Sequence, residues 1–209
     1  MSTLEYILKK YNLPTTGSPI EIANVGRLDL IRWIRELEMK VGAEIGTYVG
    51  EYAKLLLNNN PQLKLFCIDA WTKLSEYREL ENQDYEYLYQ EALNRLNPSV
   101  KKGKCVIIRK TSMDALKDIP DEFLDFVYID ANHENPYVTQ DIESWSQKVK
   151  KGGLVAGHDY IRPKKMNYAI IDALQTYQKK YGIQLFILGR HEVKPNEIRD
   201  RVRSWCFTK

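Results

Sequence analysis

From about residue 40 onward, the chain alternates short apolar runs with stretches in which apolar side chains recur every three or four residues. This alternation is typical of a parallel β-sheet whose two faces are covered by helices. The last apolar run follows its predecessor closely enough to pair antiparallel with it. The predicted strands are 41–45, 63–68, 105–109, 124–129, 154–156, 184–188 and 204–208. The pattern therefore predicts a doubly wound α/β fold with one seven-stranded, mostly parallel sheet whose last strand is antiparallel.

Helical periodicity fills the segments between and before these strands. Two apolar stripes predict helices packed on the sheet faces. The stripes are Val138, Ile142, Trp145 and Val149, and Met166, Ile170, Ala173, Leu174 and Tyr177. Residues 2–12 and 27–39 predict two extra N-terminal helices, the first opened by a capping box of Ser2 and Glu5. These helices either cap the active site or cover an edge of the sheet.

Composition narrows the class of protein. The 209 residues are 44% hydrophobic, and 31 basic against 28 acidic side chains give a net charge of +3. A chain of this size makes one domain, and its small charge excess argues against a nucleic-acid partner. No apolar run approaches the roughly 20 residues of a membrane helix, and the N-terminus lacks the pattern of a signal peptide, so we expect a cytoplasmic protein. Cys67, Cys105 and Cys206 lack metal or disulfide spacing and are predicted to be buried, reduced thiols.

The candidate chemistry begins at the carboxyl ends of the predicted strands, where open α/β sheets bind their ligands. The first strand ends in Glu44-Ile45-Gly46-Thr47-Tyr48-Val49-Gly50, and Asp69 ends the second. An acidic side chain at this second position accepts hydrogen bonds from ribose hydroxyls, which predicts a cofactor that contains a nucleoside. The loop has G-x-x-x-G rather than the G-x-G-x-x-G that pyrophosphate requires. S-adenosylmethionine fits better, because it offers an amino group and a ribose diol to carboxylates. By itself, the glycine pair also suits an ordinary strand-to-helix turn.

Five motifs in order carry a resemblance to a known family. They are E-x-G-x-x-x-G, I-D-A-W, T-S-M-D-A-L, F-V-Y-I-D-A-N-H and K-G-G-L-V-A-G-H-D-Y. This series resembles the Rossmann-like class I S-adenosylmethionine-dependent methyltransferases over roughly residues 40–190. It is most similar to the small-molecule O-methyltransferases of the macrocin type, with the catechol enzyme as a more distant relative. The resemblance implies a single methyltransferase domain over 1–209, with 1–39 as a helical cap and 40–209 as the cofactor-binding sheet domain.

The resemblance also implies which residues bind the cofactor. Asp69 would hold the ribose, and Thr111 and Ser112 would flank the adenine ring. The full set is Glu44, Gly46, Thr47, Tyr48, Gly50, Asp69, Trp71, Thr111, Ser112 and Asp130. Thr111 and Ser112 also suit helix capping, and Trp71 either packs against adenine or closes the core.

A second group of residues is predicted to carry out the chemistry. Asp130 ends an apolar strand, where a carboxylate without a role would have a desolvation cost, and His158-Asp159 end the next strand. The resemblance implies a divalent cation, magnesium or manganese, bound by Asp130, His158 and Asp159. An imidazole ligand favours manganese, iron or zinc over magnesium. Alternatively, Asp130 contacts the cofactor while His158 and Asp159 only form hydrogen bonds.

His133 is the predicted general base, because the related enzymes place a base three residues after the acidic position of Asp130. An imidazole titrates near neutral pH, which suits a proton acceptor. The resulting hypothesis is methyl transfer from S-adenosylmethionine to a hydroxyl of a small molecule, with a glycoside or polyketide sugar as one acceptor class. The alternatives are a non-methylating member of the fold, including the cephalosporin hydroxylase type, and a regulatory cofactor-binding protein. The sequence leaves open whether the chain forms a homo-oligomer.

Overall fold

The computed structural model describes residues 1–73, 83–164 and 166–209. Its described part contains one sheet of eight strands. They are β1 Ile20–Ile22, β2 Val41–Ile45, β3 Lys64–Asp69, β4 Cys105–Arg109, β5 Leu124–Ile129, β6 Val149–Gly157, β7 Phe186–Leu188 and β8 Ser204–Thr208. Seven α-helices accompany the sheet in these described residues. They are α1 Thr3–Lys10, α2 Arg27–Glu36, α3 Glu51–Asn59, α4 Tyr85–Lys101, α5 Ser112–Ala115, α6 Tyr137–Lys148 and α7 Ile170–Tyr181.

The strand order across the sheet is β1-β7-β8-β6-β5-β2-β3-β4. Only β8 runs antiparallel, and it lies between β6 and β7. The doubly wound Rossmann-like α/β fold with an antiparallel last strand is thus confirmed. Because the order reverses between β2 and β5, the carboxyl ends of these two strands form the crevice in which such sheets bind ligands.

The sheet has one strand more than the predicted seven. Ile20–Ile22 was expected to be part of a loop, but it pairs parallel with β7 at the edge of the sheet. The strand has only three residues, which are too few for a period-two pattern to stand out. The pairing with β7, which is distant in sequence, forms this strand.

Helices cover both faces of the sheet, as predicted. One core cluster joins α1, α2 and α3 to the sheet through side chains such as Ile7, Trp33 and Leu56. The cluster on the opposite face joins α6 and α7 to the sheet through Trp145 and Leu174. The two N-terminal helices therefore cover a face of the sheet and not its edge, because their apolar side chains join the core. The predicted capping box of Ser2 and Glu5 is present at the start of α1.

Two positions of the predicted helical stripes differ from the structure. Met166 lies before α7, which begins at Ile170, and its side chain is exposed. Val149 is buried but begins β6 instead of ending a helix. In both cases the apolar pattern continued across an element boundary that no glycine or proline marks.

The three cysteines are buried and free, as predicted. The sulfur atoms of Cys67 and Cys105 lie 3.6 Å apart between β3 and β4. Among the described residues, no helix combines the length and apolar character needed to cross a membrane.

Candidate active site

The loop after β2 brings the backbone of the first motif against the end of β5. Gly46 has a φ of +89°, and a Cβ atom at this position would lie 2.0 Å from the carbonyl oxygen of Asp130. Any other residue would therefore push the two strand ends apart. Gly50 also has a positive φ, and it caps α3 where the side chain of Leu96 packs closely. Gly46 thus permits the close approach of two strand ends, and Gly50 permits the left-handed backbone at the start of α3.

Glu44 and Thr47 bury polar atoms beside this loop. Both side chains are buried, and among the described residues Oε2 of Glu44 and Oγ1 of Thr47 form no hydrogen bond of normal length and angle. The Thr47 side chain nevertheless lies close enough to Glu44 to lower its pKa in part. Burial raises the pKa of Glu44 well above its usual range, and the negative charges of Asp130 and Asp69 add to the effect. Buried polar atoms without partners are costly, so they favour a site that a ligand completes. Neither residue lines the cavity described below.

Asp69 joins the loops that follow β2 and β3. Its Oδ2 accepts a hydrogen bond from the backbone N–H of Tyr48 at 2.8 Å, and its Oδ1 accepts one from Trp71 at 3.0 Å. Burial raises the pKa of Asp69, although these backbone donors lower it in part. These hydrogen bonds hold the carboxyl group of Asp69 in one orientation at the cavity wall, and its role in ribose binding stays a prediction.

Trp71 packs between the loop after β2 and α4. Its indole N–H donates to the carbonyl of Tyr48 at 2.7 Å, and its ring packs with Leu88 and Ala92 of α4. The side chain is 2% exposed and does not line the cavity. In this structure Trp71 closes the core.

Thr111 and Ser112 begin α5 at the end of β4. The side chain of Thr111 accepts from the backbone N–H of Asp114 at 3.2 Å, so its capping role is present. Ser112 donates its hydroxyl hydrogen to Asp141 and accepts from the indole N–H of Trp145 at 2.7 Å. Both residues also line the cavity, which is compatible with the predicted place beside adenine.

The ends of β5 and β6 bring a cluster of charged side chains together. Nε2 of His133 lies 3.4 Å from Oδ1 of Asp130 and 3.3 Å from Oδ2 of Asp159. The imidazole packs against the ring of Tyr168 with centroids 4.6 Å apart. Nδ1 of His158 lies 3.0 Å from the same Asp159 oxygen. Residues from two strand ends therefore surround one imidazole nitrogen.

The neighbouring histidines lower the pKa of Asp159 in this cluster. Burial acts to raise the pKa of Asp159, but the hydrogen bond from His158 and the charge of His133 outweigh it, and the net pKa is lowered. Asp130, His133 and Asp159 each offer one ligand atom within 4.8 Å of the others, an arrangement that a metal ion would fit. His158, which the sequence proposed as a ligand, contacts Asp159 from outside this trio.

A cavity of about 620 Å³ lies at the carboxyl edge of the sheet. Its size falls within the range that small-molecule sites occupy. Seven of the predicted site residues line it: Gly46, Tyr48, Asp69, Thr111, Ser112, Asp130 and His133. Its wall also contains Asp141, which sequence reasoning missed. The signal was available, because Asp141 is an acidic residue three positions after Val138 and four before Trp145, on the buried stripe of α6.

The fold and the site together define a doubly wound α/β domain with a polar cavity at the switch point of its sheet. Residues 43–160, more than half of the chain, match a family model described as a methyltransferase domain. The chain belongs to this methyltransferase family. None of the curated proteins matches it.

Several solved structures share the fold. The O-methyltransferase from Bacillus cereus in complex with SAH is 15% identical, with a TM-score of 0.61, over 99% of this chain and 90% of that one. TomG from Streptomyces achromogenes, an O-methyltransferase of tomaymycin synthesis in complex with SAM, is 12% identical with a TM-score of 0.58, over 98% and 86%. A precorrin-6y C5,15-methyltransferase from Geobacter metallireducens is 15% identical with a TM-score of 0.55, over 81% and 80%. Because these neighbours include enzymes with differently named acceptors, the shared fold does not define the acceptor atom.

Proposed function

We propose that this protein is an S-adenosylmethionine-dependent O-methyltransferase that methylates a hydroxyl group of a small molecule, as the macrocin-type enzymes do. The observation that carries the proposal is that one cavity is lined both by predicted cofactor residues, Gly46 and Asp69, and by the predicted base, His133. A methyl donor and a proton acceptor would thus meet in the same space. Such proximity supplies much of the rate of a transfer reaction.

The residues present fit the cofactor. Gly46 provides a backbone cradle that a Cβ atom would fill, and the fixed carboxylate of Asp69 suits a ribose diol. The resemblance assigns Glu44 and Thr47 to the methionine part of the cofactor, although both side chains are buried and neither lines the cavity. The cofactor, when bound, supplies a methyl group on a positively charged sulfur. The acidic side chains Asp69 and Asp130 suit that charge.

His133 would remove the proton from the substrate hydroxyl. Its imidazole is buried at the cavity wall, and the two carboxylates on either side favour the imidazolium that proton transfer creates. The ring contact with Tyr168 and the hydrogen bond from Ala169 N–H to the carbonyl of His133 fix its position. A general base held in this way contributes about 10²- to 10⁴-fold to the rate of such a reaction.

The cluster also supports a divalent cation, which is the second candidate arrangement. A cation held by Asp130, His133 and Asp159 would occupy Nε2, and that nitrogen could not then accept a proton. A cation held instead by Asp130, His158 and Asp159 would not use Nε2 of His133 as a ligand. We propose Nε2 of His133 as the base. The two ligand sets can be distinguished by metal binding, because a His133 variant would weaken it in the first set and a His158 variant in the second.

The test is methyl transfer from S-adenosylmethionine labelled in its methyl group to a panel of small glycosides, sugars and catechols. We expect labelled product that carries the methyl on oxygen, and we expect equimolar binding of S-adenosylhomocysteine by calorimetry. Binding without transfer to any hydroxyl would favour a non-methylating or regulatory member of the fold. Absence of binding would overturn the proposal.

A further inference from the structure

Asp141 has a defined place in the cavity wall that the proposed reaction does not explain. It lies on α6 and is 3% exposed, yet it is one of the residues that line the cavity. Its Oδ1 accepts the hydroxyl hydrogen of Ser112, and Oγ of Ser112 accepts from the indole N–H of Trp145. These contacts hold the carboxyl group in one orientation at the cavity.

The second oxygen of Asp141 is available to a ligand. In the part of the chain that the structure describes, Ser112 is the only hydrogen-bond partner of the Asp141 side chain. Burial raises the pKa of Asp141 to about 7, against smaller opposing effects of Ser112 and His133. A buried carboxyl group without a cation or a second donor is costly. A ligand N–H group would offset that cost.

The position of the residue within the cavity limits which part of a ligand it meets. This step rests on the proposed function. The proposed function assigns Asp69 to the ribose and Ser112 to the adenine, and both residues line the cavity. Since Asp141 is hydrogen-bonded to Ser112, it faces the same end of the cavity. In adenine, the exocyclic 6-amino group is a hydrogen-bond donor, whereas a 6-oxopurine presents an acceptor there.

We propose that Asp141 accepts a hydrogen bond from the 6-amino group of the cofactor's adenine and makes the site selective for adenine over a 6-oxopurine. A site built around a substrate N–H rejects an analogue that lacks it, because the buried acceptor is then left unpaired. With a 6-oxopurine, two acceptors would also face each other. Ser112 acts as a positioning residue, because it orients the carboxyl group that makes the contact.

The experiment is calorimetric titration at pH 8 with S-adenosylhomocysteine and with its deaminated analogue, S-inosylhomocysteine. We expect the unmodified protein to bind the adenine compound at least about 30-fold more tightly. Asp141→Asn should weaken S-adenosylhomocysteine binding about 10-fold or more and reduce the preference to within about 3-fold. Glu143→Gln, on the same helix but paired with Lys180 away from the cavity, is the matched control and should change neither value.

Each outcome has a distinct meaning. If Asp141→Asn retains both the affinity and the preference of the unmodified protein, Asp141 does not recognise the 6-amino group of adenine. If the unmodified protein binds both compounds equally, the inference fails while the proposed function stands. If it binds neither compound, the proposed function fails and the inference fails with it. The preference of the unmodified protein does not depend on any variant folding.

Discussion

Nε2 of His133 lies 3.3 Å from Oδ2 of Asp159, although the two residues follow different strands and are 26 positions apart in the chain. The parallel pairing of Ile129 with Gly157 brings them together, because it places the ends of β5 and β6 side by side. Asp130 flanks the same nitrogen from the end of β5. The fold thus creates an imidazole between two carboxylates, and the proposed chemistry depends on this arrangement.

The first prediction concerns His133→Ala. Removal of the proposed base should lower methyl transfer by about 10²- to 10⁴-fold. Affinity for S-adenosylhomocysteine should change by less than about 3-fold, because Gly46 and Asp69 remain in place. Turnover and calorimetry measure the two effects separately. His191→Ala, at an exposed position on a late loop, is the control and should leave both unchanged. A variant that loses cofactor affinity but keeps turnover would refute the assignment.

The second prediction concerns Gly46→Ala compared with Gly103→Ala. Both glycines have positive φ, so each substitution carries a backbone cost of roughly 1–2 kcal/mol. Only at position 46 does the new Cβ atom meet a neighbour, the Asp130 carbonyl, whereas at 103 nothing lies within 4 Å. Thermal unfolding should show a larger loss for Gly46→Ala, and cofactor binding should be lost only there. Equal behaviour of the two variants would mean that the close approach is unimportant.

The third prediction uses the raised pKa of Asp141. Because the folded protein holds this proton up to about pH 7 and the unfolded chain releases it near 3.8, folding becomes less favourable as pH rises between these values. The shift corresponds to roughly 4 kcal/mol at most. Asp141→Asn keeps the acceptor for Ser112 but has no charge to bury. The Asp141→Asn variant and the unmodified protein should therefore melt at similar temperatures near pH 4. Above pH 7 the variant should melt at a higher temperature, and the difference should be largest there. A gain that is independent of pH would contradict the buried-charge explanation.

The fourth prediction concerns metal binding. Added Mn²⁺ should bind at Asp130, His133 and Asp159 and should inhibit transfer, because it occupies the proposed base nitrogen. Titration should show at least about 10-fold weaker Mn²⁺ binding for His133→Ala, since one of three ligands is lost. His158→Ala should change it far less. If Mn²⁺ instead activates the enzyme and His158→Ala abolishes its binding, the ligand set is Asp130, His158 and Asp159, and Nε2 of His133 is not a ligand.

Much of the fold could be predicted because its signals are local. Apolar runs such as Leu124–Ile129 identify strands that are buried on both faces. The pairing of β8 with its predecessor followed from their closeness in the chain. The short strand Ile20–Ile22 could not be predicted in this way, because β7, more than 160 residues later, is what forms it.

The candidate site could likewise be predicted only in part. The motif around Gly46 and the residue Asp69 identified one end of the cavity from order and spacing alone. The sequence does not show where side chains point, so it could not show that Trp71 packs against α4. For the same reason, it could not show that His133, and not His158, groups with Asp130 and Asp159. Asp141 was missed because it was treated as part of a packing helix, although an acidic side chain on a buried stripe requires a partner.

The most direct test of the central claim is a crystal structure of the protein with S-adenosylhomocysteine. We expect the ribose hydroxyls to bind Asp69 and the adenine edge to lie beside Ser112 and Asp141. The sulfur should point toward the cluster of Asp130 and His133. A ligand bound elsewhere, or bound in this cavity with its sulfur directed away from His133, would contradict the claim that these strand ends form a methyl-transfer site.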